Sequence, residues 1–541
     1  MSLQLILGVL QLLDFLKITI YPTIHHTTIT STYQLGLSLV APLLVLDLAW
    51  FTYYLQQKRH MVLLVSTPLI LVLIQWEFIT SLTSLLMGLV GLHYMTDKAR
   101  FTEAALWVLA LFNMLAVVHY TLMVPLGWTE PLKKVADAQM NTHYALSYLS
   151  PLLVLPVLFF WLVKPLLEAN ISIGEQKIPE EKTSITWALL LVFSITLSAY
   201  ASLYPYLPGV NPRNLDFGVD VKNYLKTFEA FEGRSVLDRL RETRLFFLLF
   251  LQLFKTVTGL DSLSAIRFLP IVLNPMFVAS SYYFTYECFR NSRVAAWAAF
   301  FASTGYVIPV GMYSYFLTNN LALCLILLSL GLLLRAVREA DDRYLAPACV
   351  LGVLLVFTHP WTMDQYLAGL PLLAAYLWFR ESQRDAVALG KYLLVVAFFE
   401  VVKTFMLQSV GGAAATSTAV SGLTGLSSFW FSSIFSFRYL YGGFMSNALP
   451  FVYAIMGIFR LDRTTHPGRY LYVFMVLTSL VFLLSGETTK SRLLYNVPVY
   501  LFASLGLSHL QRRQGTPLLV FTAANSLFYL FLTISNVTWA A

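Results

Sequence analysis

The chain has 541 residues, of which 58% are hydrophobic and only 12% are charged. An average soluble domain is about 25% charged, so the composition excludes an ordinary soluble protein. Apolar runs of about 18 to 20 residues, long enough to cross a bilayer, recur along almost the whole chain. The sequence therefore predicts an all-α protein, a polytopic transmembrane helical bundle.

The formal net charge of +8 does not indicate a nucleic-acid partner. Lys and Arg cluster in short loops between the apolar runs, which is the positive-inside pattern of membrane proteins. The first residues, "MSLQLILGVLQLLDFLKITIYP", lack a basic start and a small-residue cleavage site. We interpret them as the first span and not as a cleaved signal peptide.

The apolar segments predict about 16 or 17 spans. They lie near residues 3–21, 34–55, 61–95, 103–126, 143–163, 184–206, 264–289, 294–310, 314–336, 344–358, 363–379, 390–408, 437–459, 469–485, 493–509 and 516–537. Segment 61–95 is too long for one straight span, and the polar Gln75 and Glu77 lie at its middle. Two short helices that meet there are the preferred interpretation.

A polar linker at 164–183 divides the chain. It separates an N-terminal transmembrane helical block, residues 1–163, from a longer membrane module, residues 184–541. If each later segment crosses once, five basic loops come out on the side of this linker, and we assign that side to the cytoplasm. The five basic loops are 290–293, 335–343, 380–391, 460–469 and 511–514.

The opposite, external side then holds the loop 207–263, the link 310–313, "HPWT" at 359–362, the Gly/Ser/Ala-rich loop 409–436 and "GETTKSR" at 486–492. Within 207–263 the pattern predicts a helix at 219–232 and a second helix at 235–258. The second helix begins charged and ends apolar, which suits the interface between water and lipid. Ser235 and Asp238 have the spacing of a capping box.

Asp216 and Asp220 are the acidic candidates for a catalytic site in this loop. A carboxylate at the membrane surface can act as a general base, bind a metal or cap a helix, and spacing alone leaves all three open. Tyr224 follows Asp220 by four residues and is predicted on the same helix face.

Cationic candidates lie in the other external segments. Lys490 and Arg492 run against the positive-inside bias, so they are candidates for binding a lipid phosphate, with ordinary snorkelling as the alternative. His359 is a candidate for sugar or metal binding together with Asp364, although Pro360 alone would explain a helix break. Arg244 is a candidate for a donor phosphate, and a solvated helix face is the alternative.

Several of these segments resemble the GT-C superfamily of integral-membrane glycosyltransferases. "GVDVKNYL" at 218–225 resembles its G-x-D-x-x-x-Y segment, and "KSRLLYNVPVYLFASLGL" at 490–507 resembles its R-[YF]-x-x-x-x-P helix start. "FTHPWTM" at 357–363 resembles an element of uncharacterised, largely archaeal members. The resemblance covers residues 184–541 and extends to the membrane modules of oligosaccharyltransferases and protein O-mannosyltransferases.

This resemblance implies a multi-pass glycosyltransferase in the cell membrane, with its active site on the external side. The donor would be a polyprenyl-phosphate-linked sugar, and the acceptor a glycan, lipid or protein. Asp220 or Asp216 would act as the base, while Tyr224, Arg492, Lys490, His359 and Arg244 would bind substrate. A divalent cation at Asp220 stays open, because some members bind one at the loop aspartates and others do not.

Two alternatives remain. The chain could be a transporter, flippase or scaffold for lipid-linked saccharides, and the intramembrane Asp47 and Glu77 fit that hypothesis. It could also be a phosphotransferase acting on the lipid phosphate. No Walker loop, dinucleotide fingerprint or HExxH motif is present, which argues against nucleotide-sugar chemistry in the cytoplasm.

Overall fold

The structure is a computed structural model. It describes residues 98–128, 150–170, 184–218, 220–314, 316–408 and 447–536, together with a few isolated positions between these ranges. The model is 83% helical and contains no strand in the part that is described. The predicted all-α, polytopic helical class is therefore confirmed.

The helices up to the end of the loop 207–263 are short or medium in length. They are α1 Lys98–Val118, α2 Ser150–Asn170, α3 Ile185–Leu203, α4 Val221–Glu232, α5 Val236–Leu240, α6 Leu245–Thr258 and α7 Ser262–Phe268. A π-helical turn, His119–Met123, extends α1, and a 3₁₀ turn, Tyr204–Tyr206, extends α3. The predicted helix at 219–232 is confirmed as α4.

The remaining helices build the body of the bundle. They are α8 Pro270–Phe289, α9 Ser292–Thr304, α10 Val307–Tyr313, α11 Leu317–Glu339, α12 Asp342–Val356, α13 Pro360–Leu367, α14 Gly369–Arg380, α15 Gln383–Gln408, α16 Ala448–Ile458, α17 His466–Leu484, α18 Glu487–Asn496 and α19 Val499–Asn536. The last helix is interrupted at Gly515, where the backbone leaves helical geometry.

Six stretches of the described residues are long and apolar enough to cross a membrane. They are Ile185–Tyr206, Ser262–Phe289, Ser292–Tyr313, Leu317–Glu339, His466–Leu484 and Gly515–Ser535. A bent pair, Thr489–Asn496 with Val499–Leu510, adds a seventh if it forms one span. The chain is thus a multi-pass membrane protein, while the predicted segments before residue 98 lie outside the described residues.

Some predicted segments are shared between two consecutive helices. Segment 264–289 lies in the single apolar stretch Ser262–Phe289, in which Leu269 separates α7 from α8, and segment 363–379 falls into α13 and α14. A proline at the first helical position sacrifices no hydrogen bond, because that N–H has no partner inside the helix. Hydropathy alone does not detect such breaks, since both halves remain apolar.

The basic loops meet at one end of the bundle and bond to one another. Glu287 at the end of α8 is buried and pairs with Arg290, with Nη1 to Oε2 at 3.1 Å, and with Arg338. His466 Nε2 lies 3.3 Å from Asp385 Oδ2. These contacts, together with the bond from Arg384 Nη2 to Val337 O at 3.0 Å, support the prediction that the loops 290–293, 335–343, 380–391 and 460–469 share one side.

The predicted linker reaches the same end. The Glu181 N–H donates to Arg290 O at 3.1 Å, and the Ser292 N–H donates to Glu181 O at 3.0 Å. At the first position of the linker, Lys164 donates from Nζ to Leu461 O at 2.9 Å. The linker is therefore tied to the C-terminal module at this end, and the boundary at 164–183 stays a prediction.

The tightest helix contact joins α16 and α19. Gly457 and Gly506 face each other, and a Cβ built on either residue would overlap a backbone carbonyl of the other helix, at Phe502 and Tyr453 respectively. Small residues permit such backbone contact between membrane helices. The two glycines therefore fix how closely the last helix approaches its neighbour.

We expect Gly457→Ala and Gly506→Ala each to destabilise the protein by at least about 1–3 kcal/mol, because the backbones cannot separate without losing packing. Gly390→Ala is the matched control, since its Cβ would meet open space and alanine favours a helix by about 0.5–1 kcal/mol. The thermal midpoint in detergent is the measurement. An α16 variant as stable as the control would contradict the close contact.

Candidate functional site

A cavity of about 380 Å³ lies among the segments predicted on the external side. Its lining comes from the loop 207–263, the start of α11, the end of α12 and α18, and from none of the basic loops. The lining residues are Asp220, Asn223, Tyr224, Thr227, Glu242, Thr243, Arg244, Phe247, Leu248, Ser314, Phe316, Thr318, Asn319, His359 and Arg492. Segments distant in the sequence thus supply one polar pocket.

The amphipathic pattern of α4 places its polar face on the cavity. Val221, Phe228 and Phe231 are buried on the opposite face. Asp220 precedes the first turn, and its carboxylate accepts no backbone hydrogen bond from the helix. Instead, Oδ1 accepts from Asn223 Nδ2 at 2.9 Å. In this structure Asp220 does not act as a side-chain cap, so the carboxylate is left facing the cavity.

Tyr224 lies one turn after Asp220 and lines the same cavity, as the i, i+4 spacing predicts. Its hydroxyl is 3.4 Å from Thr318 Oγ1 on α11. Its ring packs edge-on against Phe247, with ring centres 5.7 Å apart. The tyrosine therefore joins α4, α6 and α11 around the pocket.

Asp216 is placed differently from Asp220. Its Oδ1 accepts a hydrogen bond from Arg267 Nε at 2.6 Å, and it does not line the cavity. Both side chains of this ion pair are mostly buried, with 23% and 15% of their surface exposed. The pair ties the loop to α7, which is a structural contact in the described residues.

The prediction of one helix at 235–258 is wrong. Ser235 does cap α5, and its Oγ accepts the Asp238 N–H at 3.3 Å, but α5 ends at Leu240. The chain then turns, and α6 begins after Arg244. The Phe246 N–H donates to Phe357 O at the end of α12, at 2.9 Å.

This break has a physical reason. The first N–H groups of a helix have no partner within it, and the carbonyl of Phe357 supplies one for α6. The turn at 241–244 also separates the charged part of the predicted helix, now α5, from the apolar part, now α6. As a result Arg244 lies at the start of α6 and points its side chain into the cavity lining.

Arg492 and Lys490 lie on different faces of α18. Arg492 lines the cavity, whereas Lys490 is fully buried, with Nζ 5.2 Å from the ring centre of Phe482. Residues two positions apart on a helix do not face the same way. Arg492 therefore lines the same cavity as Asp220, whereas Lys490 is buried on another face of α18.

His359 lines the cavity and is only 2% exposed. It is the N-cap of α13, where Nδ1 accepts the Thr362 N–H at 3.3 Å. Burial lowers the pKa of the imidazole well below its usual value, and the charges of Arg244, Arg492 and Lys403 lower it further. His359 is consequently neutral at physiological pH. Asp364, its predicted companion, does not line the cavity.

Sequence reasoning missed part of the lining. Glu242 pairs with Arg234 at the rim, and Asn319 comes from the start of α11. The signal for Asn319 was available, because "LTNNL" places two amides inside an apolar span, and polar residues inside membrane helices are functional suspects. Nothing local in the sequence distinguishes Glu242 from the other loop carboxylates.

Other predicted residues do not bear on this cavity. No group of three or more His, Cys, Asp or Glu that could hold a metal ion occurs in the part of the chain that is described. The cation predicted at Asp220 therefore stays a prediction. Asp47, Gln75 and Glu77, and almost all of the loop 409–436, lie outside the described residues.

No protein-family model matches the chain, and no curated protein matches it. Among solved structures, it is similar to the crystal structure of the Archaeoglobus fulgidus oligosaccharyltransferase, a complex with zinc and sulfate, at a TM-score of 0.43 and 14% identity. The match covers 65% of this chain and 54% of that chain, little more than half its length. So distant a similarity carries no argument about activity.

The two aspartates of the loop are expected to differ in their effect on stability. Asp216→Asn removes the charge that pairs with Arg267 and should destabilise the protein by about 1–3 kcal/mol. Asp220→Asn should change stability by less than about 0.5 kcal/mol, because the one hydrogen bond that its carboxylate makes within the described ranges is exposed. Thermal midpoints in detergent measure both.

A double variant supplies the control. If the ion pair is real, Asp216→Asn combined with Arg267→Met should cost much less than the sum of the two single changes. Additive losses, or an equal loss from Asp220→Asn, would contradict the distinct placement of the two carboxylates.

Proposed function

We propose that the protein is a membrane glycosyltransferase that moves a sugar from a polyprenyl-phosphate-linked donor to an acceptor on the external face of the cell membrane. The observation that carries the proposal is the cavity that the Asp220 carboxylate shares with two guanidinium groups, Arg244 and Arg492. The second carboxylate of the lining, Glu242, is paired with Arg234. The sequence resemblance of residues 184–541 to the GT-C superfamily supports it independently.

The charges of the cavity suit an anionic substrate. No carboxylate among the described residues lies within ion-pair distance of Arg244 or Arg492. A half-buried cation without a partner is unfavourable, and a phosphate satisfies a guanidinium with two parallel hydrogen bonds. Lys490 is not proposed to bind the phosphate, because it is buried away from the cavity. Arg244 is proposed to bind it together with Arg492.

The proposed reaction is a single displacement at the anomeric carbon. The Asp220 carboxylate accepts the proton of the acceptor hydroxyl as its oxygen forms the new glycosidic bond. The bond from the anomeric carbon to the phosphate oxygen breaks, and the lipid phosphate leaves with the bonding electrons. Arg244 and Arg492 stabilise the negative charge that builds up on this oxygen. Tyr224 and His359 add hydrogen-bonding groups around the sugar and the phosphate.

The lipid part of the donor fits the surroundings of α6. Phe247 and Leu248 line the cavity, and the outer face of the same helix exposes Leu249, Leu253 and Val257. An apolar exposed face on a membrane protein contacts lipid. A polyprenyl tail in the bilayer beside α6 would therefore hold its phosphate at the level of Arg244.

We expect Asp220→Asn to lower sugar transfer about 10²–10⁴-fold, because the amide cannot accept the acceptor proton. Glu229→Gln is the matched control, an exposed carboxylate on the same helix that does not line the cavity. The assay measures product from a polyprenyl-phosphate-linked hexose by mass spectrometry, with the protein reconstituted in vesicles.

The same vesicles separate the alternatives. No transfer by the unmodified protein, together with movement of the lipid-linked saccharide across the vesicle membrane that is lost in Asp47→Asn or Glu77→Gln, would replace the enzyme by a transporter of lipid-linked saccharides. Release of a phosphorylated product without a new glycosidic bond would indicate a phosphotransferase.

Arg492→Gln should weaken binding of farnesyl phosphate, a short lipid phosphate, about tenfold or more, because a charge-assisted hydrogen bond is lost. Arg492→Lys should recover only part of the affinity, since an ammonium lacks the planar fork. Arg343→Gln, at the opposite end and 90% exposed, is the control. Titration calorimetry measures the affinities. Equal affinities of all three variants would contradict phosphate binding in this cavity.

A further inference from the structure

A chain of buried polar side chains runs behind the cavity and ends at His359. Its members are Thr362 and Gln365 on α13 and Asn496 on α18, all of which are buried. None of the three lines the cavity, so the proposed reaction gives them no role. Buried polar groups between membrane helices are costly unless they are bonded, and the direction of each bond here can be worked out.

The donor and acceptor of each hydrogen bond can be assigned in sequence from a backbone carbonyl, because a carbonyl oxygen can only accept. Leu493 O accepts from Gln365 Nε2 at 3.2 Å. The amide of Gln365 is thereby oriented, and its Oε1 accepts from Asn496 Nδ2 at 2.9 Å. The amide nitrogen of Asn496 must in turn face α13, because a carboxamide oxygen there would meet another oxygen.

The next link fixes the hydroxyl of Thr362. Its Oγ1 accepts from Asn496 Nδ2 at 3.3 Å and from Asn319 Nδ2 at 3.4 Å. Both acceptor positions of the oxygen are then used, and its single hydrogen remains to be donated. The remaining neighbour is His359 Nδ1 at 3.1 Å.

The imidazole is therefore held in one tautomer. The Thr362 N–H can only donate, and it is bonded to Nδ1 of His359 at 3.3 Å. The Thr362 hydroxyl lies 3.1 Å from the same nitrogen, so Nδ1 shares its lone pair between two donors and carries no proton itself. A neutral imidazole then has its proton on Nε2. Nε2 has no hydrogen-bond partner in the described part of the chain, and the residue lines the cavity. The free N–H donor is available to a bound molecule.

Burial lowers the pKa of His359, and the cations around the imidazole lower it further. These cations are Arg244 at the N-cap of α6, Arg492 on α18 and Lys403 on α15. Asp220 and Glu242 line the same cavity, but neither carboxylate bonds the ring. A proton added to Nδ1 would also break the cap of α13. The site thus gains a donor without a third positive charge.

We propose that Thr362, Asn496 and Gln365 are positioning residues that hold His359 as an Nε2–H donor to a phosphate oxygen bound between the two guanidinium groups. The identity of this ligand rests on the proposed function, whereas the tautomer does not. In this arrangement His359 binds and orients the phosphate and transfers no proton. The three positioning residues act on the substrate only through the imidazole.

Nitrogen NMR of the full-length protein in detergent, with labelled histidine, tests the tautomer directly. The His359 signals are identified by their loss in His359→Asn. We expect a non-protonated Nδ1, a protonated Nε2, and no titration between about pH 5 and 8. A proton on Nδ1, or an imidazole that titrates near its ordinary pKa, would overturn the inference. This result needs no ligand and no variant of the positioning residues.

Thr362→Val, which keeps the shape and removes the hydroxyl, should produce a detectable signal from the other tautomer. It should also weaken binding of farnesyl phosphate about two- to tenfold. Thr362→Ser restores the hydroxyl and should restore both properties. A Thr362→Val protein with an unchanged histidine spectrum would overturn the positioning role.

The outcomes also separate this inference from the proposed function. If NMR shows the expected tautomer but the protein binds no farnesyl phosphate, both the phosphate ligand and the transferase proposal are contradicted. Tight binding of farnesyl phosphate with a proton on Nδ1 would overturn the positioning role alone.

Discussion

The site depends on holding two positive guanidinium groups in one partly buried cavity without a carboxylate beside either of them in the described residues. Like charges repel, and burial strengthens the repulsion, so the scaffold must oppose their separation. Arg244 is held by the start of α6, which is bonded to the end of α12 through Phe246 and Phe357. Arg492 is held by α18 and its bend into α19. An anion that entered between them would relieve the repulsion, and this is the reason for proposing a phosphate in this cavity.

The arginines at the two ends of the bundle differ in whether a carboxylate pairs with them. At the end that carries the basic loops, carboxylates compensate the arginines, as Glu287 does for Arg290 and Arg338. At the cavity end the equivalent compensation is missing among the described residues for Arg244 and Arg492. Compensated charges stabilise an interface between helices, whereas uncompensated charges create affinity for something outside the chain. This difference between the ends is what the proposed phosphate site rests on.

The helical class, the position of α4 and the shared face of Asp220 and Tyr224 could be predicted, because each depends on local periodicity. The turn before Arg244 could not, because the carbonyl that stabilises it belongs to Phe357, more than a hundred residues later. Lys490 and Arg492 looked equivalent in sequence, and only the rotation of α18 separates them. Likewise Asp216 and Asp220 differ through Arg267, a contact made across the fold. Sequence patterns thus identified the candidate residues, and tertiary contacts determine which of them line the cavity.

The hydrogen-bonded chain behind His359 starts at the residue that follows Arg492. A ligand that drew Arg492 toward the cavity would also displace the Leu493 carbonyl, on which the orientation of Gln365, Asn496 and Thr362 depends. Occupancy of the cavity would then be transmitted to the imidazole as a change in its electronic environment. The protein would carry an intrinsic spectroscopic reporter of its loaded state, one that requires no attached dye or tag.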